Sequence, residues 1–102
     1  MFKTGDIEVD AERHRVTVAG KEVHLTRTEY KLLSVMVKHA DRVLTHSQLL
    51  QEVWGENQED QAHYVRVYMA QLRRKLEPDP SHPRYLITEP GVGYRFERGG
   101  DA

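Results

Sequence analysis

The chain has 102 residues, no cysteine and a hydrophobic content of 38%, which predicts one domain built around one core. Because cysteine is absent, a disulfide framework and a thiolate metal site are excluded, and we expect a protein of a reducing compartment, the cytoplasm. No apolar stretch has the length of a membrane span or the pattern of a secretory signal, so no membrane partner is expected.

The first 25 residues alternate between apolar and charged positions. The apolar pairs that lie two residues apart are Ile7 and Val9, Val16 and Val18, and Val23 and Leu25. This spacing is the period of half-buried strands, and candidate turns lie at residues 10–13 and 19–20. Residues 1–25 therefore predict a small antiparallel sheet with one packed face and one face in water.

Two later segments begin with nearly the same helix-start pattern. Each places a threonine at the N-cap and a Glu or Gln three residues later, and the two pairs are Thr26 with Glu29 and Thr45 with Gln48. The pattern predicts a first helix over residues 26–41 and a second over residues 45–54. Gly55 is a typical residue to end the second helix.

Residues 61–77 predict a third helix with an apolar side and a basic side. The apolar stripe consists of Val65, Met69, Leu72 and Leu76. The opposite face presents His63, Val67, Ala70 and Arg74, with Arg66 and Gln71 beside them. Basic runs often do no more than solvate a surface helix. The short Val67 and Ala70 instead favour a recognition helix, because a slim leading edge fits a major groove about 12 Å wide.

The formal net charge of -1 conceals a polarity along the chain. Residues 1–60 carry a net charge of -3 and residues 61–102 carry +2, while residues 61–76 of the third helix carry four basic side chains and no acidic one. A DNA duplex responds to the face that it meets rather than to the total charge. The acidic remainder should limit loose binding to polyanions, so specific contacts matter more.

After the third helix, the prolines at positions 78, 80 and 83 exclude further helix. Residues 84–98 then predict a hairpin, whose tip is formed by Gly91, Val92 and Gly93. A basic helix followed by a glycine-tipped hairpin is typical of a winged helix. The acidic connecting loop, residues 55–60, makes the turn between the second and third helices longer than the usual three or four residues.

The six histidines and sixteen carboxylates form no known catalytic motif, such as HExxH or GxSxG. Asp6, Glu8 and Asp10 alternate along one predicted strand, and they are more simply its wet face than a cation site. We therefore predict that the chain is not an enzyme and has no catalytic residue, cofactor or metal.

Four sequence blocks, in this order and spacing, resemble the C-terminal effector domain of OmpR/PhoB-type response regulators. They are LTRTEYKLL, VLTHSQLLQEVWG, HYVRVYMAQLRRKLE and ITEPGVGYRF. The resemblance spans about residues 2–97, and it is greatest to members that regulate a potassium-transport operon. It implies an α+β winged helix-turn-helix with an N-terminal four-stranded antiparallel sheet, three helices and a C-terminal β-hairpin wing.

The resemblance also implies roles for individual positions. Those expected to face base edges are Val67, Ala70, Gln71 and Arg74, with Arg66 also in the DNA-binding set. Those expected to approach phosphates are His63, Tyr64, Tyr68, Arg73 and, on the wing, Thr88. Gln71 stands where some relatives have Arg. Because Arg prefers guanine and Gln prefers adenine, this chain should favour adenine at the matching base. Pro90 stands where several relatives have a basic residue, so a minor-groove contact from the wing is left open.

Partners follow from the same resemblance. The family has an N-terminal receiver domain, which this chain lacks, and the receiver is phosphorylated by a sensor histidine kinase. The isolated domain is expected to be monomeric, and to be dimeric on tandem DNA half-sites. The loop residues Glu56, Asn57, Gln58 and Glu59 match a segment that contacts RNA polymerase in relatives, although helix capping and solvation explain their charge equally well. The alternative function is a winged helix that docks an acidic protein.

Overall fold

The computed structural model describes residues 1–55 and 62–98. In these ranges the chain forms β1 (Phe2–Thr4), β2 (Ile7–Asp10), β3 (Arg15–Val18), β4 (Lys21–Val23), α1 (Arg27–Lys38), β5 (Val43–Thr45), α2 (His46–Trp54), α3 (Ala62–Leu76), β6 (Leu86–Glu89) and β7 (Gly93–Phe96). The predicted combination of an N-terminal sheet, three helices and a C-terminal hairpin is therefore present.

The N-terminal sheet is antiparallel throughout, in the order β1-β2-β3-β4. Ile7, Val9 and Val16 are buried, which gives the sheet the packed face that the alternation predicted. The turn between β2 and β3 is closed by Asp10, whose carboxylate accepts hydrogen bonds from the backbone N–H groups of Glu12 and Arg13. The sheet covers one side of the core.

Both predicted capping boxes are formed. At α1, the Thr26 hydroxyl accepts from the Glu29 N–H and the Glu29 carboxylate accepts from the Thr26 N–H. At α2, Thr45 and Gln48 make the equivalent pair of bonds. These bonds satisfy N–H groups that the first turn of a helix leaves without partners.

The end of α1 differs from the sequence prediction, which extended the helix to Asp41. The helix ends at Lys38, three residues earlier. Asp41 has a positive φ of 70°, and its N–H donates to the Phe96 carbonyl at 2.7 Å. Beyond the end of the helix, this long-range backbone contact with β7 holds the chain in a non-helical conformation.

The four stripe residues of α3 are at most 1% exposed, as the apolar period predicted; they are Val65, Met69, Leu72 and Leu76. They join a single cluster that includes Leu32 and Met36 of α1 and Leu49 of α2. One side of α3 is therefore packed into the core, and its other side forms part of the surface of the domain.

The wing has one strand more than the predicted two-stranded hairpin. Strand β5 pairs antiparallel with β7, which gives a second sheet in the order β5-β7-β6. Thr45 lies opposite Gly93 in this ladder, and a side chain at position 93 would overlap the Leu44 carbonyl. Strand β5 has three residues and pairs with the distant β7, so local spacing does not predict it.

Candidate nucleic-acid interface

The outer face of α3 carries most of the side chains that the sequence placed there. His63, Tyr64, Arg66, Val67 and Arg74 are exposed, whereas Tyr68, Ala70, Gln71 and Arg73 are partly buried. Val67 is 48% exposed, although it is an aliphatic residue in the middle of a polar face. The face therefore combines two arginines with a small apolar centre.

The four basic side chains of α3 divide into two pairs. Within residues 1–55 and 62–98, Arg66 and Arg74 make no hydrogen bond or ion pair. Lys75 donates to the Glu29 carboxylate at 2.6 Å and to the His24 carbonyl at 3.0 Å. Half of the positive charge of α3 is therefore available to an external anion, and the other half is engaged inside the domain.

Arg73 forms the other internal contact, and this contact was not expected from the sequence. Its Nε and Nη2 donate to the Leu86 carbonyl at 3.0 and 2.7 Å, and Nη2 also donates to the Thr88 hydroxyl at 2.7 Å. The guanidinium lies 5.8 Å from the centre of the Tyr94 ring. Burial lowers the pKa of Arg73, an effect that nearby Tyr94 and Glu77 oppose. Arg73 thus links α3 to the wing.

Two aromatic contacts involve residues of this face. Tyr68 lies 5.6 Å from Trp54, centroid to centroid, at the end of α2. Tyr64 lies 4.3 Å from the His63 ring on the surface. Trp54 is partly buried against the core. The rings of Trp54 and Tyr68 thus form a contact between α2 and α3.

Glu77 is a buried carboxylate that the sequence analysis did not single out. It is 6% exposed and accepts hydrogen bonds from three successive backbone N–H groups, those of Arg84, Tyr85 and Leu86, at 2.8 to 2.9 Å. These bonds tie the residue after α3 to the start of β6. A glutamate at the end of a helix gives no local signal that distinguishes this role from a surface one.

The wing presents Thr88 on an exposed edge and Val92 at its tip, where Val92 is 49% exposed. Arg95, on β7, is held by Glu97 and by Glu89, whose oxygen lies 3.1 Å away. The hydrogen bond to Glu97, then that to Glu89, raises the pKa of Arg95 despite some desolvation. The tip sequence Pro90-Gly91-Val92-Gly93 contains no cation.

Some predictions concern residues outside the described ranges. The predicted RNA polymerase residues, Glu56 to Glu59, lie outside the described residues, as does the predicted start of the third helix at position 61. In the described part, no group of three or more His, Asp or Glu side chains could hold a metal ion. No helix in the same part has the length and apolar character needed to cross a membrane.

The family described as transcriptional regulatory protein, C terminal, matches residues 20–96. The chain belongs to this family. Transcriptional regulatory domains of this kind are not enzymes, in agreement with the sequence prediction. The match includes all three helices and the whole wing, so the surface formed by α3 and Thr88 lies within the family region.

Relatives of this transcriptional regulatory domain confirm the resemblance to OmpR/PhoB-type response regulators. The chain is 48% identical over 96 residues to the KDP operon transcriptional regulatory protein KdpE of Escherichia coli K12, covering 94% of this chain and 43% of that protein. It is similar to the response regulator DrrB, a Thermotoga maritima OmpR/PhoB homolog, with TM-score 0.86, 32% identity and coverage of 94% and 43%. The DNA-binding domain of the response regulator AdeR, solved in complex with an intercistronic region, matches with TM-score 0.76, 31% identity and coverage of 96% and 97%.

Proposed function

We propose that this domain binds double-stranded DNA sequence-specifically, as the output domain of a two-component response regulator that controls transcription. In this proposal α3 enters the major groove and the wing lies along the sugar-phosphate backbone. The observation that carries it is the division of α3 into a buried apolar side and an outer face on which Arg66 and Arg74 have no partner among residues 1–55 and 62–98. Basic helices with this division are typical of major-groove recognition.

The base-reading part of the proposal uses the centre of the outer face. We assign Val67, Ala70, Gln71 and Arg74 to base edges. The exposed Val67 offers methyl groups for apolar contact with thymine, Gln71 suits adenine N6 and N7, and Arg74 suits guanine O6 and N7. The small Ala70 lets the helix axis approach the floor of the groove.

The backbone part of the proposal uses the edges of the face and the wing. We assign His63, Tyr64, Arg66 and Tyr68 to phosphates, together with the hydroxyl of Thr88, which Arg73 contacts. Phosphate contacts of this kind fix the register of a protein on DNA without reading its sequence. Because the wing tip, Gly91 to Gly93, contains no cation, we propose that the wing stays on the backbone.

The chain spans 43% of the length of the KdpE protein that it resembles, so we propose that it is the effector half of a longer regulator. Its partners would be its own receiver domain and a sensor histidine kinase, in the cytoplasm. We propose a potassium-transport operon as the target, since the similar protein regulates the KDP operon. Alone the domain would be monomeric, and it would be dimeric on tandem half-sites. We further propose that Glu56 to Glu59 contact RNA polymerase.

Selection of bound duplexes from a random pool tests this function. We expect one enriched motif, and affinity for it about tenfold or more above that for a scrambled duplex, since each bidentate base contact contributes ~1 to 3 kcal/mol. Affinity should also fall with salt, with a slope of about -0.9 per phosphate neutralised. Equal binding to all duplexes would refute sequence-specific recognition, and it would favour the alternative, a helix that docks an acidic protein.

A further inference from the structure

We propose that Arg73 is a positioning residue for the wing rather than an independent phosphate ligand, and that it orients the Thr88 hydroxyl to donate to the DNA backbone. This inference rests on the proposed function. It is supported by three hydrogen bonds that one guanidinium on α3 donates to two residues of β6.

The Leu86 peptide is the point where α3 holds the wing. Its carbonyl accepts from Arg73, and its N–H donates to Glu77 at 2.8 Å. Arg73 and Glu77 are four residues apart, one helical turn, so they lie on the same side of the chain. The two side chains therefore hold both backbone polar groups of Leu86. Because Leu86 opens β6, its orientation sets the direction of the strand that carries Thr88.

The state of the Thr88 hydroxyl follows from this contact. A hydroxyl has one proton to donate and two lone pairs that accept. Since Arg73 can only donate, it occupies a lone pair of the Thr88 oxygen, and the hydroxyl proton must point elsewhere. Thr88 is exposed, so its proton can turn toward an external acceptor. A phosphate oxygen is such an acceptor.

The guanidinium group is needed for this geometry. Its planar arrangement lets Nε and Nη2 converge on the Leu86 carbonyl while Nη2 also reaches Thr88. A lysine ammonium is a point charge on a flexible stem, and it cannot reproduce this fork. A phosphate contact, in contrast, is largely preserved when arginine becomes lysine, because charge neutralisation dominates it.

The test measures the affinity of four variants for the selected duplex. Three are the single variants Arg73→Ala, Arg73→Lys and Thr88→Val, and the fourth combines Arg73→Ala with Thr88→Val. Each affinity is corrected for the folded fraction, which is measured by thermal unfolding. We expect Arg73→Ala and Arg73→Lys to weaken binding alike, by about fivefold to tenfold, the size of one or two lost hydrogen bonds. Thr88→Val should weaken the wild type about fivefold but change the Arg73→Ala variant by less than about twofold.

Salt dependence supplies the second readout. Arg73→Ala should keep the wild-type slope of log affinity against log salt. The matched control is Arg66→Ala on the same helix, which removes an exposed cation and should flatten that slope by about 0.9.

Rescue by Arg73→Lys, a slope flattened by about 0.9 in Arg73→Ala, or independent effects of Arg73→Ala and Thr88→Val would overturn the inference. Each of these results is compatible with a wild type that prefers the selected duplex, so none of them contradicts the proposed function. A wild-type domain without sequence preference would instead overturn both proposals.

Discussion

Lys75 of α3 and Glu29 of α1 form an ion pair in which Nζ lies 2.6 Å from Oε1. Glu29 is 2% exposed and also caps its own helix by accepting from the Thr26 N–H. A basic residue of the candidate DNA-binding helix therefore holds that helix against the start of α1. This contact gives the domain a defined response to acid.

Burial by itself would raise the pKa of Glu29, but hydrogen bonds from Lys75 and Thr26 and the charge of Lys75 lower it below its ordinary value of 4.5. A carboxyl group with a lowered pKa in the folded state stabilises the fold above its unfolded pKa, and this stabilisation is lost as the pH falls through the folded pKa. We expect the free energy of unfolding to decline below about pH 4.5 for this reason.

Lys75→Met should lower the free energy of unfolding at pH 7 by ~1.5 to 3 kcal/mol, because a hydrogen-bonded charge pair is broken. It should also weaken the acid dependence, since Glu29 stays buried without its partner and its pKa rises. Urea unfolding between pH 3 and 7 measures both effects. Lys31→Met, which changes an exposed lysine of α1, is the control and should leave the pH profile unchanged. Identical profiles for the two variants would contradict the prediction.

The carboxylate of Glu77 should contribute strongly to stability. Glu77→Ala leaves three backbone N–H groups without their acceptor; those of Tyr85 and Leu86 are buried, and each buried unpaired group costs ~1 to 3 kcal/mol. We expect a loss of at least about 2 kcal/mol in the free energy of unfolding, measured by urea unfolding at pH 7. Glu77→Gln keeps one oxygen and should lose less. The control Glu12→Ala, at an exposed position, should change stability by less than about 0.5 kcal/mol.

Gly93 should tolerate no side chain. An added Cβ would overlap backbone atoms of Leu44 and Thr45 in β5, where Thr45 lies opposite Gly93. Gly93→Ala should therefore separate the two strands and lower the thermal unfolding midpoint sharply. Gly91→Ala is the matched control at the wing tip. Its φ is +75°, but a Cβ added there would meet nothing within 4 Å apart from the adjacent residues. Its cost should be about 1 to 2 kcal/mol, from the left-handed backbone alone. Equal midpoints for the two variants would rule out the close approach.

Arg74 should contribute to sequence preference. Arg74→Ala should reduce affinity for the selected duplex by at least about fivefold, the low end of a bidentate base contact of ~1 to 3 kcal/mol. Affinity for scrambled duplexes should fall much less, so the ratio of the affinity for the selected duplex to that for scrambled duplexes decreases. Arg98→Ala, which removes a cation paired with Asp41 beyond β7, is the comparison and should leave the ratio unchanged. If Arg74→Ala weakens all duplexes equally, Arg74 contacts phosphates and not bases.

Features that depend on residues close in the chain could be predicted from the sequence. The capping boxes at Thr26 and Thr45 need a partner three residues away, and the apolar stripe of α3 needs a period of 3.6 residues. The N-terminal sheet follows from a period of two. These local rules, with four blocks of family resemblance, were enough for the fold class and for the outer face of α3.

Features that depend on partners distant in the chain were decided by the tertiary structure. Arg73 bonds to a residue 13 positions away, and Lys75 bonds to one 46 positions away. The sequence alone does not distinguish the positive charges of this helix, which are those of Arg66, Arg73, Arg74 and Lys75. Only the packing of α1 and β6 against α3 determines which of them meet carbonyls and carboxylates inside the domain, and which remain to meet an external anion. The reason is that a hydrogen bond requires its two atoms within about 3 Å, a condition that the fold sets and the local sequence does not.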